Sequence, residues 1–512
     1  MLRLLSYNHI FTYIVLLLIT VAVRLPSFHS SYFEQDEAFY LTCAERIVDG
    51  GVQYLDTWDN KPPVLVWFYT FFVWAFGEGA IFAIRAFTVM YLFVAALLLN
   101  QFVANQRILE RFSLLPGFLL VFFCSVPWYA QEMNGELLMT IPIMLAMFQI
   151  LKLQERSSKN NGQLFFAGMM MGLCFMIKYQ AIFLMLGLAG AYLTIQAPKI
   201  SEVFSLFSGF GMVIATILGG VYLTGAMWAY IDIGLLYNID YIFLGKNLGE
   251  EISPLFNLGQ YLQLYGAFLL LAIIAMVQLR LSYFSNAIRL RKVEAFLLFW
   301  TGAALLSLII GGGRLYLHYF YILVPPLAIY AGRFFEMKLN PWVRQIGFIL
   351  AMMIPMYTFS VFVVSAYPKT FSMIDPYLKP NGWISGLRAR LNEPHALEKY
   401  IDKSKVHNGI LVMDYEPTIY ARLNLSCATH YTNFSLAYFR MIAFRERSKV
   451  TLYSNSEPLS ETYRVFRDEM PEYIIDPHDL FPMLRAQIPI LFADFEARQV
   501  TMGDRNFKLY YR

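Results

Sequence analysis

The feature that most constrains this chain is a succession of apolar runs, each near the ~20 residues a helix needs to cross a bilayer core of about 30 Å. They fall at 8–25, 80–100, 113–130, 137–153, 164–178, 180–196, 203–223, 258–279, 294–311, 318–335 and 343–365. Lipid offers backbone amides no water to bond, so runs of this length must be helices that satisfy their own backbones. Composition agrees, with 58% hydrophobic and only 15% charged residues, where a soluble domain carries roughly a quarter charged. The basic residues sit in short loops instead of on one face, which argues against a nucleic-acid partner.

The first run, Ile10 to Val23, has the length of a signal-peptide core but is followed by Ala22-Val23-Arg24-Leu25-Pro26, with no small-x-small cleavage site. It reads as an uncleaved first span. Orientation follows from the basic loops Arg107/Arg111, Lys152/Arg156/Lys159, Lys199, Arg280/Arg289/Arg291/Lys292 and Arg333/Lys338/Arg344. All lie on one side, with Arg3, only if the short apolar piece 64–76 does not cross. That side is then cytoplasmic, and 26–79, 131–136, 224–257, 312–317 and the tail face outward.

After Ala366 charge and proline rise, and short strand-like runs appear at Ile410–Met413, Tyr473–Ile475 and Phe507–Tyr511, with a helix start at Pro417–Leu423. The expected architecture is an all-α polytopic membrane protein with about 11–13 transmembrane helices. Its membrane domain covers 1–365, and a small extracytoplasmic α/β domain covers 366–512. Cys124 and Cys174 fall in apolar runs as core thiols. Cys43 and Cys427 both face outward, so a disulfide between them is conceivable.

Chemistry-bearing residues concentrate in the first outward segment: Asp36-Glu37, Tyr54-x-Asp56 and Asp59-Asn60-Lys61-Pro62-Pro63. Tyr40, Ala44, Ile47 and Val48 recur at helical spacing, which predicts an amphipathic helix lying on the membrane. Asp36 could merely cap that helix, and Lys61-Pro62-Pro63 could be an interfacial anchor before a proline in a helix's first turn. An acidic pair this close to lipid is costly unless it works or is paired.

This spacing of Asp-Glu, Tyr-x-Asp and Lys-Pro-Pro resembles the first external loop of the GT-C membrane glycosyltransferases. Among them it is similar to the protein O-mannosyltransferase superfamily and its bacterial lipid A aminoarabinose and galacturonic acid transferases. Asn134-Gly135-Glu136 in the second outward loop and Gly311-Gly312-Gly313-Arg314-x-Tyr316-x-His318-Tyr319-Phe320 resemble further family motifs.

The resemblance implies an inverting transfer of sugar from a polyprenyl-phosphate donor to an extracytoplasmic acceptor. That acceptor is a lipid A or other envelope glycan, a membrane lipid or a protein hydroxyl. The host membrane would be a bacterial inner membrane, with the site facing the periplasm. Asp36 matches the family's base, which a poorly nucleophilic hydroxyl needs. Glu37 and Glu136 are candidates to stabilise an oxocarbenium-like transition state. Lys61, Arg314 and Lys178 are candidates for the departing phosphate, and Asp59, Tyr316, His318 and Tyr319 for the substrate.

Lys178 could equally snorkel to the interface and His318 could simply close a helix end. Glu250-Glu251 reads as a solvated surface. No cofactor is implied with certainty. Members of the wider fold differ in metal use, and Asn60 stands where some relatives carry an acidic residue, which puts a metal ligand there in doubt. Competing readings are a glycan ligase or polymerase and a transporter of lipid-linked sugars. The inverted repeats and paired helix breaks of many transporters are not seen in this sequence.

Overall fold

The computed structural model describes residues 7–28, 35–109, 112–125, 131–153, 160–195, 197–238, 254–282, 288–310, 316–366, 397–412, 417–429, 467, 470–476, 494–502 and 505–512. Each apolar run is helical over at least part of its length. The helices are α1 Tyr7–Arg24, α2 Gln35–Val48, α3 Pro63–Phe76, α4 Ala80–Asn105, α5 Leu115–Phe123, α6 Gly135–Lys152 and α7 Asn161–Ile177. They continue as α8 Ala181–Ile195, α9 Ile200–Leu223, α10 Pro254–Ser282, α11 Ile288–Ile310, α12 Val324–Glu336 and α13 Pro341–Ala366. Among the described residues, five stretches are long and apolar enough to cross a membrane: Ile10–Phe28, Pro63–Asn105, Gly135–Lys152, Ile200–Leu223 and Pro341–Ser360. Shorter apolar helices pack among them around one core, and large apolar side chains such as Phe204, Trp74 and Ile349 point outward. A polytopic membrane protein needs both faces.

Residues 63–105 are not one straight rod. A straight helix of that length would exceed twice the bilayer core at 1.5 Å per residue. The break is at Gly77, whose φ of 51° suits a residue without a side chain, followed by a 3₁₀ turn over Gly77–Gly79. Pro63 occupies the first position of α3, where its missing N–H costs nothing. The tightest helix pair is α7 with α9: a methyl on Gly168 would meet Leu206 backbone, and one on Gly209 would meet Phe165 backbone.

The expected span 318–335 begins differently. Leu317–Ile322 is a 3₁₀ segment, and the α-helix starts only at Val324, with Pro325 and Pro326 in its first turn, where a helix tolerates proline at least cost. A π-helical segment, Tyr230–Leu236, follows α9 after a turn of α-helix at Met227–Ala229.

Two expectations fail around α2. Residues Glu37 to Ala44 of this helix are all buried, so Tyr40 and Ala44 do not form a lipid-facing stripe. Instead α2 lies between α3 and a short tail helix, α14 Pro417–Leu423. All four cysteines are buried and none is in a disulfide, so Cys43 and Cys427 are not bridged.

The tail forms a four-stranded sheet in the order β1-β2-β4-β3, from β1 Ile410–Val412, β2 Tyr473–Asp476, β3 Glu496–Met502 and β4 Arg505–Tyr511. β1 and β2 are parallel; β4 runs antiparallel to both β2 and β3. Ile410, Val412, Ile475, Phe507 and Leu509 close a core with Tyr420 and Leu423 of α14. The Arg46 guanidinium of α2 donates to the backbone oxygens of Cys427 (3.2 Å) and Thr429 (3.5 Å), fixing the tail to that helix.

Candidate functional site

Asp36 and Glu37 fall in the first turn of α2, where the helix dipole favours carboxylates. They point to different surroundings. Asp36 is part-exposed and its Oδ2 lies 3.3 Å from Lys61 Nζ. Lys61 also contacts the Tyr40 hydroxyl and lies 4.4 Å from the Tyr40 ring centroid, a cation–π distance. The spacing of Asp36 and Tyr40 on one face of α2 allows both to reach the same ammonium.

Lys61 is held from behind by its own loop. Its backbone N–H donates to Asp59 Oδ1 (3.1 Å), and its carbonyl accepts from the Tyr54 hydroxyl (2.7 Å). Tyr54 stacks edge-on against Tyr230 at 5.3 Å, and Tyr179 donates to the Tyr230 hydroxyl at 3.1 Å. Asp59 is 1% exposed. Burial pushes its carboxyl up to about 7, against the opposing pull of Lys61.

Glu37 turns inward to a fully buried ion pair with Arg85 of α4. Arg85 donates to the Gln131 carbonyl at 2.9 Å, and Arg24, the last residue of α1, donates to the same oxygen at 2.7 Å. One buried node thereby joins α1, α2, α4 and the segment before α6.

A second charged cluster lies beside the first. Asn134 caps α6 by accepting from the Leu137 N–H (2.8 Å), which sets Glu136 in the first turn. Glu136 is fully buried and paired with Lys178, the residue that ends α7. Lys178 sits 4.2 Å from the Tyr319 ring centroid, while His318 packs edge-on to Tyr319 and stacks with Tyr316. A Cβ on Gly135 would be 3.5 Å from Lys178 Cδ and 3.6 Å from Leu65 Cδ2, so the start of α3 borders this cluster. The contact chain Tyr179–Tyr230–Tyr54–Lys61 links the two from the other side.

The structure therefore brings Asp36, Asp59 and Lys61 together, with Glu136, Lys178, Tyr316, His318 and Tyr319 as neighbours and Glu37 withdrawn behind them. Arg314 lies outside the described residues, as does Glu250-Glu251. Sequence reasoning gave no role at the site to Tyr40, Tyr179, Tyr230, Arg24 or Arg85. The last two could have been found, since each is a charge at or inside an apolar run that must find a partner.

A metal finds poor support in these residues. Asn60 offers an amide where an acid would be needed, and that amide donates to Asn238 Oδ1 at 3.2 Å. Among the described residues, no three His, Cys, Asp or Glu side chains converge as ligands.

These helices and the C-terminal sheet define an integral membrane protein with the fold of the GT-C glycosyltransferases. A family model described as dolichyl-phosphate-mannose-protein mannosyltransferase matches residues 60–222, from the loop before Lys61 through α9. Among solved structures, the chain is similar to ArnT from Cupriavidus metallidurans bound to undecaprenyl phosphate. The TM-score is 0.56 and the identity 13%, over 99% of this chain and 98% of that one. The apo state of the same protein matches with TM-score 0.56 and 13% identity, over 97% of each chain. An apo oligosaccharyltransferase from Archaeoglobus fulgidus matches with TM-score 0.48 and 10% identity, over 98% of this chain and 74% of that one. No curated protein matched in a sequence search.

Proposed function

We propose that this protein is an inverting glycosyltransferase that moves a sugar from a polyprenyl-phosphate carrier to a hydroxyl on the non-cytoplasmic side of the membrane. The observation that carries the reading is the part-exposed Asp36–Lys61 pair, a base in the first turn of α2 and a cation in the loop before α3, 3.3 Å apart. The ArnT neighbour, bound to undecaprenyl phosphate, and the mannosyltransferase family match support a lipid-linked donor.

In the resting protein Lys61 neutralises Asp36. Arrival of the donor phosphate gives the ammonium a second anion, and the ion pair loosens in its favour. Asp36 then accepts the acceptor's hydroxyl proton as that oxygen attacks the anomeric carbon. The bond from the anomeric carbon to the phosphate oxygen breaks as the new one forms, its electrons leaving with the polyprenyl phosphate. A single displacement inverts the anomeric centre. Lys178, over the Tyr319 ring and against Glu136, is the second cation available to the phosphate; Glu136 places it there. Glu37 acts at one remove, fixing the turn that carries Asp36.

The active face points outward, with the 1–365 helices forming the catalytic domain and the 366–512 sheet domain resting on α2. α3 stays on that outer side: Tyr69 in its middle donates to the Met133 carbonyl (2.8 Å), two residues from the Gln131 carbonyl that Arg85 of α4 engages. The test is Asp36→Asn in membranes supplied with radiolabelled lipid-linked sugar. Transfer should disappear while donor binding persists; a transporter would continue to move the lipid. Unchanged transfer removes Asp36 from the mechanism.

A further inference from the structure

Immediately before Lys61, the loop 52–60 buries side-chain polar atoms that have no hydrogen-bond partner. Gln53, Thr57 and Asp59 are 6%, 1% and 1% exposed. Gln53 Nε2 and Oε1, Thr57 Oγ1 and Asp59 Oδ2 all lack a hydrogen-bond partner. More than nine in ten buried polar groups in proteins are paired, so four such atoms within one short loop call for a cause.

The same loop is strained. Tyr54 has a φ of 70°, a left-handed conformation that a bulky aromatic residue rarely adopts. Its ring rests on Tyr230, the first residue of the π-helical segment, a distortion that recurs at functional sites. Gly50, at a φ of 101° with open space around it, gives the loop a pivot at its start. At the other end the loop is anchored by Asp59 Oδ1 on the Lys61 N–H. The orphaned atoms have almost no contact with solvent, so a ligand reaches them only when the loop moves.

We propose that Gln53, Thr57 and Asp59 form a subsite for the hydroxyl groups of a sugar ring, exposed when this loop opens beside Lys61. The inference rests on the transfer reading above and specifies what part of the substrate this loop reads. A carboxamide and a hydroxyl both donate and accept, and a carboxyl oxygen accepts. Vicinal sugar hydroxyls, each a donor and an acceptor, match that set. A phosphate does not match it, because Asp59 in its charged form would repel it, and a prenyl chain offers none of these atoms a bond. Closed, the loop keeps its polar groups unpaired; open on a sugar, it pairs them. The sugar is either the one carried by the donor or one in the acceptor, and the two are separated by the experiment.

The decisive variant is Thr57→Val, which removes a hydroxyl and keeps the shape, with Gln53→Met as its companion. Purified full-length protein is titrated with undecaprenyl phosphate and with a panel of undecaprenyl-phosphate pentoses and hexoses. Transfer of labelled sugar from those lipids into host membranes is then followed. Thr57→Val should melt no lower than wild type, since it deletes a buried unpaired group, and should bind bare undecaprenyl phosphate as wild type does. Its affinity for the sugar-bearing lipid should fall about three- to tenfold, the worth of one lost hydrogen bond. That result assigns the subsite to the donor sugar. Unchanged donor affinity with an acceptor KM raised by the same factor assigns it to the acceptor. Wild-type affinity and KM in both variants, or a loss of melting temperature alone, would overturn the inference while leaving the transfer reading intact. A wild-type protein that binds neither lipid and transfers nothing overturns both.

Discussion

Asp36 and Glu37 are chain neighbours on one helix, with the same functional group and the same helix dipole, yet they lead different lives. Asp36 meets Lys61 with side-chain exposures of 29% and 21%, whereas Glu37 meets Arg85 at 0% and 1%. A part-exposed ion pair is a weak contributor to stability and an exchangeable one, which suits a group that must release its partner and take a proton. A buried pair is rigid, and removing one member strands a charge in a medium that cannot solvate it. Identical chemistry a residue apart is thus divided by burial into an exchangeable pair, the one proposed above as the working pair, and a buried one.

The comparison can be broken in several ways, and the largest effect is expected at the working pair. Asp36→Asn should lower the transfer rate by about 10²- to 10⁴-fold, the usual worth of a general base, with little change in the detergent melting temperature. Glu37→Gln should do the reverse in kind. Thermal or denaturant melts should show a loss of about 3–5 kcal/mol from the stranded arginine, and any folded fraction should keep its donor affinity. A protein as stable as wild type after Glu37→Gln would erase the contrast. The double change Glu37→Gln with Arg85→Met should recover most of that loss, because an apolar replacement of both partners leaves no unpaired charge.

A smaller effect sharpens the boundary between the two classes. Asp59 is buried like Glu37 but sits beside Lys61 like Asp36, and its carboxyl is raised to about 7. The folded protein then holds this proton where the unfolded chain gives it up. The associated stability is full in acid, below the ordinary carboxylate range, and declines as pH rises toward about 7, at up to about 1.4 kcal/mol per pH unit. Melting temperature against pH should lose that component in Asp59→Asn. Arg46→Ala should have the slightest effect, a drop of about 1–2 kcal/mol in attachment of the tail to α2 from lost charge-assisted bonds to carbonyls. Faster proteolysis of the tail would read it.

Much of this was legible in the sequence because lipid leaves helices few alternatives. Each run of 15 or more apolar residues became helical over at least part of its length, and proline at Pro63 marked a helix start. What eluded reading was tertiary. The apolar positions of α2 look like a membrane-facing stripe, since periodicity shows that a face is apolar without saying what covers it; α3 and α14 cover this one. β3 was missed because Glu496-Ala497-Arg498-Gln499 shows no buried alternation, as befits a strand at the sheet's edge whose side chains are mostly exposed. At the site, the motif spacing indicated that Asp36 and Lys61 belong together. The different surroundings of Asp36 and Glu37 depended on Arg85, forty-eight positions further along from Glu37. Local spacing holds no record of that partner.

The attachment of the tail carries one more consequence. Arg46 grips Cys427 and Thr429 by their main-chain oxygens, and α14 presses on the helix that bears Asp36. Every amino acid presents the same carbonyl, so the grip itself does not depend on which side chains stand at positions 427 and 429. A lineage could remodel the rest of the sheet module without losing the joint that ties it to α2.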